Sequence, residues 1–334
     1  MFGNPLERRQ RPTRSGNGGP AAHGNAIEMS ESAPPPENPY AAGAAFVDGK
    51  YVPMAEARMP ILDWGFLHSD CTYDVVHVWQ GRFFRLKDHL ERFERSAEGL
   101  RLPLPHTREA IGEILSECVR LAGLRDAYVE MICTRGWPPV GSRDPRDAES
   151  RFYAFAVPFI WIADEEQRKR GLHLIVSSVQ RIPPQSVNPV FKNFHWGDFT
   201  RGLFEAFERG GETAVLVDGA GNVTEGPGFN IFVVNGERVV TPDAGMLEGI
   251  TRRTVMELCE ECGIALETAP LPVQALREAE EVFLSSTAGG IVPITRVDGQ
   301  PVGGGAPGPI TGRLRDLYWS KQEAGWHGTP IDYS

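Results

Sequence analysis

Lysine is scarce in this chain. Only Lys50, Lys87, Lys169, Lys192 and Lys321 stand among 34 basic residues, so arginine supplies most of the positive surface charge. Net positive charge is missing too: the balance is −10, which excludes nucleic acid as a general partner. No apolar run approaches the roughly 18 residues that a membrane span needs, and no signal-peptide core follows Met1. A protein that stays off membranes is therefore expected. Cysteine is sparse and odd in number. Cys71, Cys118, Cys133, Cys259 and Cys262 are scattered, which fits reduced thiols in a cytoplasm better than a disulfide framework. Cys259 and Cys262 form a C-x-x-C inside a helical pattern with no second ligand pair, so a core-facing pair is expected and no metal site. What remains is ordinary: 41% hydrophobic and 23% charged residues over 334 positions, enough for two domains or one large one with a sizeable core.

Three zones are expected. Residues 1–44, rich in Gly, Pro, Ser and Arg and without periodicity, read as a disordered arm or one laid against a partner subunit. Residues 45–163 read as a small α+β domain. "AFVDGKYVP" and "TYDVVHVWQGRFFRL" predict hairpins around Asp48-Gly49 and Gln80-Gly81. Leu86, Leu90, Phe93 and Ala97, then Ile111, Leu115, Cys118 and Ala122, recur at helical spacing. "AYVEMICT" and "RFYAFAVPFIWI" read as strands, joined by the long loop "RGWPPVGSRDPRDAES". Residues 164–334 read as a larger, strand-rich domain, with helices from about Phe199 to Arg209, capped by Asp198, and from Thr251 to Cys262.

Lys192 needs a special explanation, because Phe191, Phe194 and Trp196 flank it where other lysines have charged company. Desolvation disfavours a charged amine, which is what Schiff-base chemistry with an aldehyde requires. A lysine whose stem lies on aromatic rings is the plain alternative. Glu225, in the Gly/Pro turn "TEGPGFNIF", either faces a buried ring nitrogen or caps its own turn. "LEGITRRTVMEL" starts a helix at Gly249, Ile250 and Thr251, either as a phosphate seat or as an ordinary threonine cap. Thr287 in "FLSSTAGGI" adds a phosphate ligand or ends a strand. Arg85 after "GRFF" grips phosphate or opens the charged face of the next helix. Glu130 sits mid-strand in "AYVEMICT" and must be paired, functional or on a wet face. An amine, a ring-nitrogen acid and a phosphate cup together describe pyridoxal 5′-phosphate.

From Phe46 to the C-terminus the chain resembles the fold-type IV (class IV) pyridoxal-phosphate aminotransferases, and among them the (R)-selective amine transaminases. The resemblance rests on "LDWGFLHSDCTYDVVHVWQGRFFRLKDHLERF", "FKNFHWGD", "VTEGPGFNI", "GITRRTV" and "SSTAGGIVPIT", in family order. It implies a two-domain, branched-chain-aminotransferase-like α+β fold. It also implies that Lys192 binds the cofactor covalently and shuttles the proton, and that Glu225 holds the pyridine nitrogen. Arg85, Ile250, Thr251 and Thr287 would bind phosphate, and Leu247 would pack on the ring. His68, Tyr73, Val75, Tyr128, Glu130, Trp196 and Ala288 would line the substrate pockets, with Arg143 in a mobile loop able to meet a keto-acid carboxylate. Trp64, Phe194, His195, Pro227 and the loop "VGSRD" depart from the family's pattern.

The resulting expectation is a cytoplasmic transaminase passing an amino group from a primary amine, (R)-configured, to a keto acid such as pyruvate. A homodimer with its active site at the interface goes with it. The alternatives are a branched-chain or D-amino-acid aminotransferase or an aminodeoxychorismate lyase of the same fold, and a non-catalytic cofactor-binding protein. "HSDCTYDVVHV" lacks the Gly-Ile-Arg-type stretch usual in branched-chain relatives, which favours the amine.

Overall fold

Two left-handed turns fold the first strands back on themselves. Asp48 and Gly49 have φ of 48° and 75°, Gln80 and Gly81 of 50° and 77°, the conformations a two-residue hairpin needs and glycine adopts without cost. In the computed structural model, which describes residues 38–334, these turns join β1 (Ala44–Val47) to β2 (Lys50–Pro53) and β3 (Cys71–Trp79) to β4 (Arg82–Phe84). Between the hairpins lies α1 (Trp64–His68). After them come α2 (Leu86–Gly99), α3 (Arg108–Ala122), β5 (Ala127–Thr134) and β6 (Arg151–Pro158).

The second half runs α4 (Glu165–Arg170), β7 (Leu172–Gln180), α5 (Gly197–Glu208), β8 (Thr213–Val217), β9 (Glu225–Gly226), β10 (Phe229–Asn235) and β11 (Arg238–Thr241). It continues with α6 (Ile250–Cys262), β12 (Ala265–Thr268), α7 (Val273–Arg277), β13 (Glu281–Ser286), β14 (Gly290–Val297) and β15 (Gln300–Pro301), and ends in α8 (Pro309–Glu323) and β16 (Gly328–Pro330). The fold is α+β.

The first sheet is ordered β16-β4-β3-β5-β6-β1-β2, all antiparallel, so the last strand of the chain joins the first half. Strand alternation divides its side chains cleanly. Val76, Val78, Val129, Met131 and Phe152 join Phe93 of α2 and Ile111 and Leu115 of α3 in one apolar core. Tyr73, Val75, Tyr128, Glu130 and Phe155 alternate with these and point to the other face. The second sheet is ordered β12-β11-β10-β13-β14-β7-β8, with β9 on β10 and β15 on β14. Helix α5 packs on β7 and β8 through Phe199 and Ala206, while Val255, Leu258, Leu314 and Tyr318 of α6 and α8 cover part of the sheet. Among the described residues no helix is long and apolar enough to cross a membrane.

Several expectations change. The arm expected over 1–44 lies, for residues 1–37, outside the described residues. From Asn38 onward the chain is tied down: Asn38 Nδ2 donates to the Leu121 carbonyl oxygen at 2.9 Å, and Tyr40 packs on the first core. Helix α5 starts at Gly197, with Asp198 inside it; the Asp198 carboxylate instead accepts from Arg181 Nη1 at 2.6 Å and Ile182 N at 2.9 Å. The charged connector after residue 163 contains α4, closed by a capping box from Asp164 and Gln167. Helix α8 escaped the periodicity because its buried stripe, Thr311, Leu314, Tyr318 and Gln322, is half polar. Cys259 is buried in the core and Cys262 half-buried, and no group of potential metal ligands is found among the described residues.

Candidate active site

A cavity of about 470 Å³ opens between the face of the first sheet that carries Tyr73, Val75, Tyr128 and Glu130 and one end of the second. Lys192 reaches it from the segment between β7 and α5. Its main chain is clamped by the first half: the Lys192 N–H donates to Ser96 Oγ at 3.1 Å, and its carbonyl oxygen accepts from Thr72 Oγ1 at 2.6 Å. Ser96 is on α2 and Thr72 on β3, so both halves of the chain set the lysine's position. Lys192 Nζ lies 4.1 Å from the centre of the Tyr73 ring, a cation–π contact. Tyr73 is itself stacked on Phe194, centroids 4.1 Å apart. The unexpected Phe194 thus acts as backing for the ring that faces the amine.

Glu225 lines the same cavity from β9. Its Oε1 accepts from Arg181 Nε and Nη2 at 3.3 and 3.2 Å, and its Oε2 accepts from Leu247 N at 3.0 Å. Burial pushes its carboxyl up from the ordinary range, opposed by Arg181, the Leu247 N–H and Lys192. Arg181 bridges Glu225 to Asp198 and lies 4.1 Å from the Phe199 ring centre. The Glu225 carboxylate is thus held by Leu247, 22 residues on, and by Arg181 rather than by its own turn, and the side chain borders the cavity.

Ile250 and Thr251 begin α6 with Gly249 as its N-cap, and no side chain caps the helix. The threonine is inside the helix, which removes the plain reading of Thr251 as a cap. The first N–H groups of such a helix have no acceptor within it and carry the positive dipole end. Gly249 is required by close approach, since a Cβ there would collide with Asn230 Oδ1; Asn230 Nδ2 in turn donates to the Leu247 carbonyl oxygen at 2.8 Å. Ser285, Ser286, Thr287 and Ala288 border the same end of the cavity. Ser285 Oγ is buried and has no hydrogen-bond partner among the described residues.

Arg85 is not part of this cup. It takes a left-handed conformation, φ 54°, at the start of α2. Its guanidinium is paired with Asp88 at 3.0 Å and with Glu257, outside the cavity lining. Arg92, two turns further along α2, borders the cavity instead. It is held by Asp74, and its Nη1 lies 3.4 Å from the Glu248 carbonyl oxygen. The signal for Arg92 was Asp74: an acid in the apolar run "TYDVVHVW" needs a buried partner, and His89 and Arg92 present one at helical spacing.

One wall of the cavity is that face of the first sheet. Tyr73, Val75, Tyr128 and Glu130 lie on it as expected, joined by Phe155, and Trp196, Ala288 and the unexpected Pro227 close the rim. The Tyr128 hydroxyl donates to Glu130 Oε2 at 3.2 Å. Burial pushes the Glu130 carboxyl up to about 7, while Lys192 and the Tyr128 hydroxyl oppose that rise and Asp74 adds to it. Two expected residues are elsewhere. His68 is exposed on α1, packed on Trp64, and Arg143 is exposed in the loop before β6; neither borders the cavity of its own chain.

The arrangement fits pyridoxal 5′-phosphate. An uncapped helix start, a buried hydroxyl without a partner and an arginine guanidinium meet at one end, and an amine and a carboxyl border the same cavity. Lys192, Glu225 and Leu247 would hold the ring, with Arg92, Ile250, Thr251, Ser285 and Thr287 at the phosphate.

A family model described as amino-transferase class IV matches residues 72–297. A putative branched-chain-amino-acid aminotransferase of Methanocaldococcus jannaschii is 31% identical over 275 residues, 82% of this chain and 94% of that one. A D-alanine aminotransferase of Bacillus licheniformis is 28% identical over 266 residues, 79% of this chain and 92% of that one. The solved branched-chain amino acid aminotransferase of Thermobaculum terrenum, in its PLP-bound holo form, matches with a TM-score of 0.77 and 28% identity, over 89% of this chain and 99% of that chain.

Proposed function

This chain belongs to the class IV aminotransferases, and on that premise we propose that it is a pyridoxal 5′-phosphate-dependent transaminase passing an amino group from a primary amine, (R)-configured, to a keto acid such as pyruvate. The observation that carries the choice of an amine is the state of the cavity's cations. Arg92 and Arg181 border it but are engaged by Asp74, Asp198 and Glu225. Lys192 is the one cavity-lining cation without an ion pair among the described residues. Among the described residues no uncommitted guanidinium of the same chain borders the cavity, so a donor without a carboxylate suits it. The keto acid's carboxylate would depend on Arg143 brought by a neighbouring copy; the wall formed by the first sheet offers rings and an acid.

The bound cofactor supplies an aldehyde to take up the amino group and a ring to withdraw electrons. The rest falls to the chain. Lys192 would hold the cofactor through its amine and, as general acid–base, would move a proton at Nζ; Ser96 and Thr72 fix its backbone so that the amine reaches the cavity. Glu225 places negative charge where the ring nitrogen would lie, with Arg181 and the Leu247 N–H holding its orientation. Arg92 and the start of α6 anchor the phosphate end. Tyr73, Tyr128 and Phe155 exclude water from the substrate wall.

A division into a small domain over 45–163 and a cofactor-binding domain over 164–334 belongs to this proposal, as does a homodimer. Ile61, Leu62, Phe66 and Leu67 are exposed around α1, a run of apolar surface that a second copy would cover. His68 and Arg143 lie on such surface segments and would serve the neighbour's cavity.

The names of the relatives support a second reading, in which an α-amino acid is the donor. Turnover of (R)-1-phenylethylamine, D-alanine and L-leucine, each with a suitable keto acid, separates the two. Turnover of the amine is expected; silence toward it with good turnover of leucine overturns the proposal.

A further inference from the structure

Glu130 occupies a place where an acid is costly. It lies mid-strand on β5, between Val75 of β3 and Phe155 of β6, and is 8% exposed. Its one side-chain hydrogen bond among the described residues comes from Tyr128. A carboxylate kept at such depth for structure alone is normally paired with a cation, and Glu130 is in no ion pair among the described residues. The charged or titratable groups that border the cavity with it are Tyr73, Tyr128, Lys192, Arg92, Arg181 and Glu225; Asp74 lies across the sheet, among the helices. Both arginines are committed to other acids. Lys192 is the one cation left to oppose it, so Glu130 presents to whatever enters a carboxyl that is charged above about pH 7.

We propose that Glu130 is a specificity-determining charge filter: it turns away substrates whose side group ends in a carboxylate and admits apolar, hydrogen-bond-donating or cationic ones. This rests on the transaminase reading and names its substrate class more narrowly, as amines and short monocarboxylic keto acids in preference to dicarboxylic ones. Two carboxylates forced together in a desolvated site repel strongly, whereas an amide or hydroxyl in the same place donates a hydrogen bond to Glu130. The filter weakens once Glu130 takes up a proton, which its burial brings to about pH 7.

The test compares 2-oxoglutarate with its neutral ω-amide, 2-oxoglutaramate, as acceptors for one donor. It uses wild-type and Glu130→Gln holoenzyme between pH 6 and pH 8. Wild type should favour the amide in kcat/KM by at least about tenfold at pH 8 and by less at pH 6. Glu130→Gln should lose the preference at every pH. A preference that survives in Glu130→Gln, or one in wild type that ignores pH, overturns the filter. Should Glu130→Gln lose its native circular dichroism, the wild-type pH series decides alone. Failure of the amine reading looks different: (R)-1-phenylethylamine is then no donor, and the acceptor comparison is run with D-alanine or L-leucine.

Discussion

Arg92 and Asp74 form a two-pronged ion pair beside the cavity, Nε to Oδ2 at 2.7 Å and Nη2 to Oδ1 at 2.8 Å, with the aspartate fully buried. His89 Nδ1 adds a third contact to the same carboxylate at 2.8 Å. The pair turns a flexible arginine into a fixed one whose remaining nitrogen, Nη1, lies 3.4 Å from the Glu248 carbonyl oxygen, just before the start of α6.

Asp74→Asn should destabilise the fold by about 3–5 kcal/mol, because it leaves a buried guanidinium uncompensated. Burial alone would raise the Asp74 carboxyl, but Arg92 and His89 outweigh it and hold the group well below the usual carboxylate range. Its stabilising contribution is thus present above the unfolded value of about 4 and is lost as pH falls below that toward the folded value. Urea unfolding of both proteins between pH 3 and pH 7 checks this: the gap should shrink toward the acid end.

Arg92→Ala and Arg85→Ala should behave differently. The first should lower stability, because it leaves the buried Asp74 without its arginine. It should also weaken pyridoxal 5′-phosphate binding by at least about tenfold, the loss of one charge-assisted contact. The second breaks contacts to Asp88 and Glu257 that lie away from the cavity, so it should lower stability and leave cofactor affinity in place. Fluorescence titration of the folded variants with the cofactor reads the difference.

Lys192→Ala should abolish the absorption band that forms when cofactor is added to wild type, and should slow transamination by about 100-fold or more. A visible-range spectrum, followed by a single-turnover assay, settles both points. Ser96→Ala leaves the Lys192 N–H without its acceptor at a cost of about 1–3 kcal/mol. It should lower kcat more than it changes KM.

Glu130→Gln should gain stability relative to wild type as pH rises. The Glu130 carboxyl is raised to about 7, so its neutral form suits the folded state. That advantage is full below the unfolded value of about 4.3 and is lost as pH climbs through 7. Thermal unfolding should therefore show the variant and wild type drawing level, or the variant ahead, at pH 8, with wild type ahead at pH 5.

Residue type and local pattern already singled out Lys192, Glu225 and the helix start at Gly249–Thr251, because each is anomalous among its near neighbours: a lysine among aromatics, an acid among glycines, a glycine ahead of an amphipathic helix. Glu130 stood out as an acid in the middle of an apolar strand, whereas Tyr128 came only with the family resemblance; that the two share a face follows from the alternation of β5. Arg85 and Arg92 could not be told apart this way. Both belong to one charged, amphipathic stretch, and which of them reaches the cavity depends on how α2 docks against β3 and on the buried Asp74 that claims its partner. His68 and Arg143 likewise carry chemistry that only their location can direct, and the fold leaves both on the outside of their own chain. The clamp on Lys192 is the clearest case. Thr72 and Ser96 are 120 and 96 residues away in sequence, and such distant partners meet only when packing of the two halves brings them together.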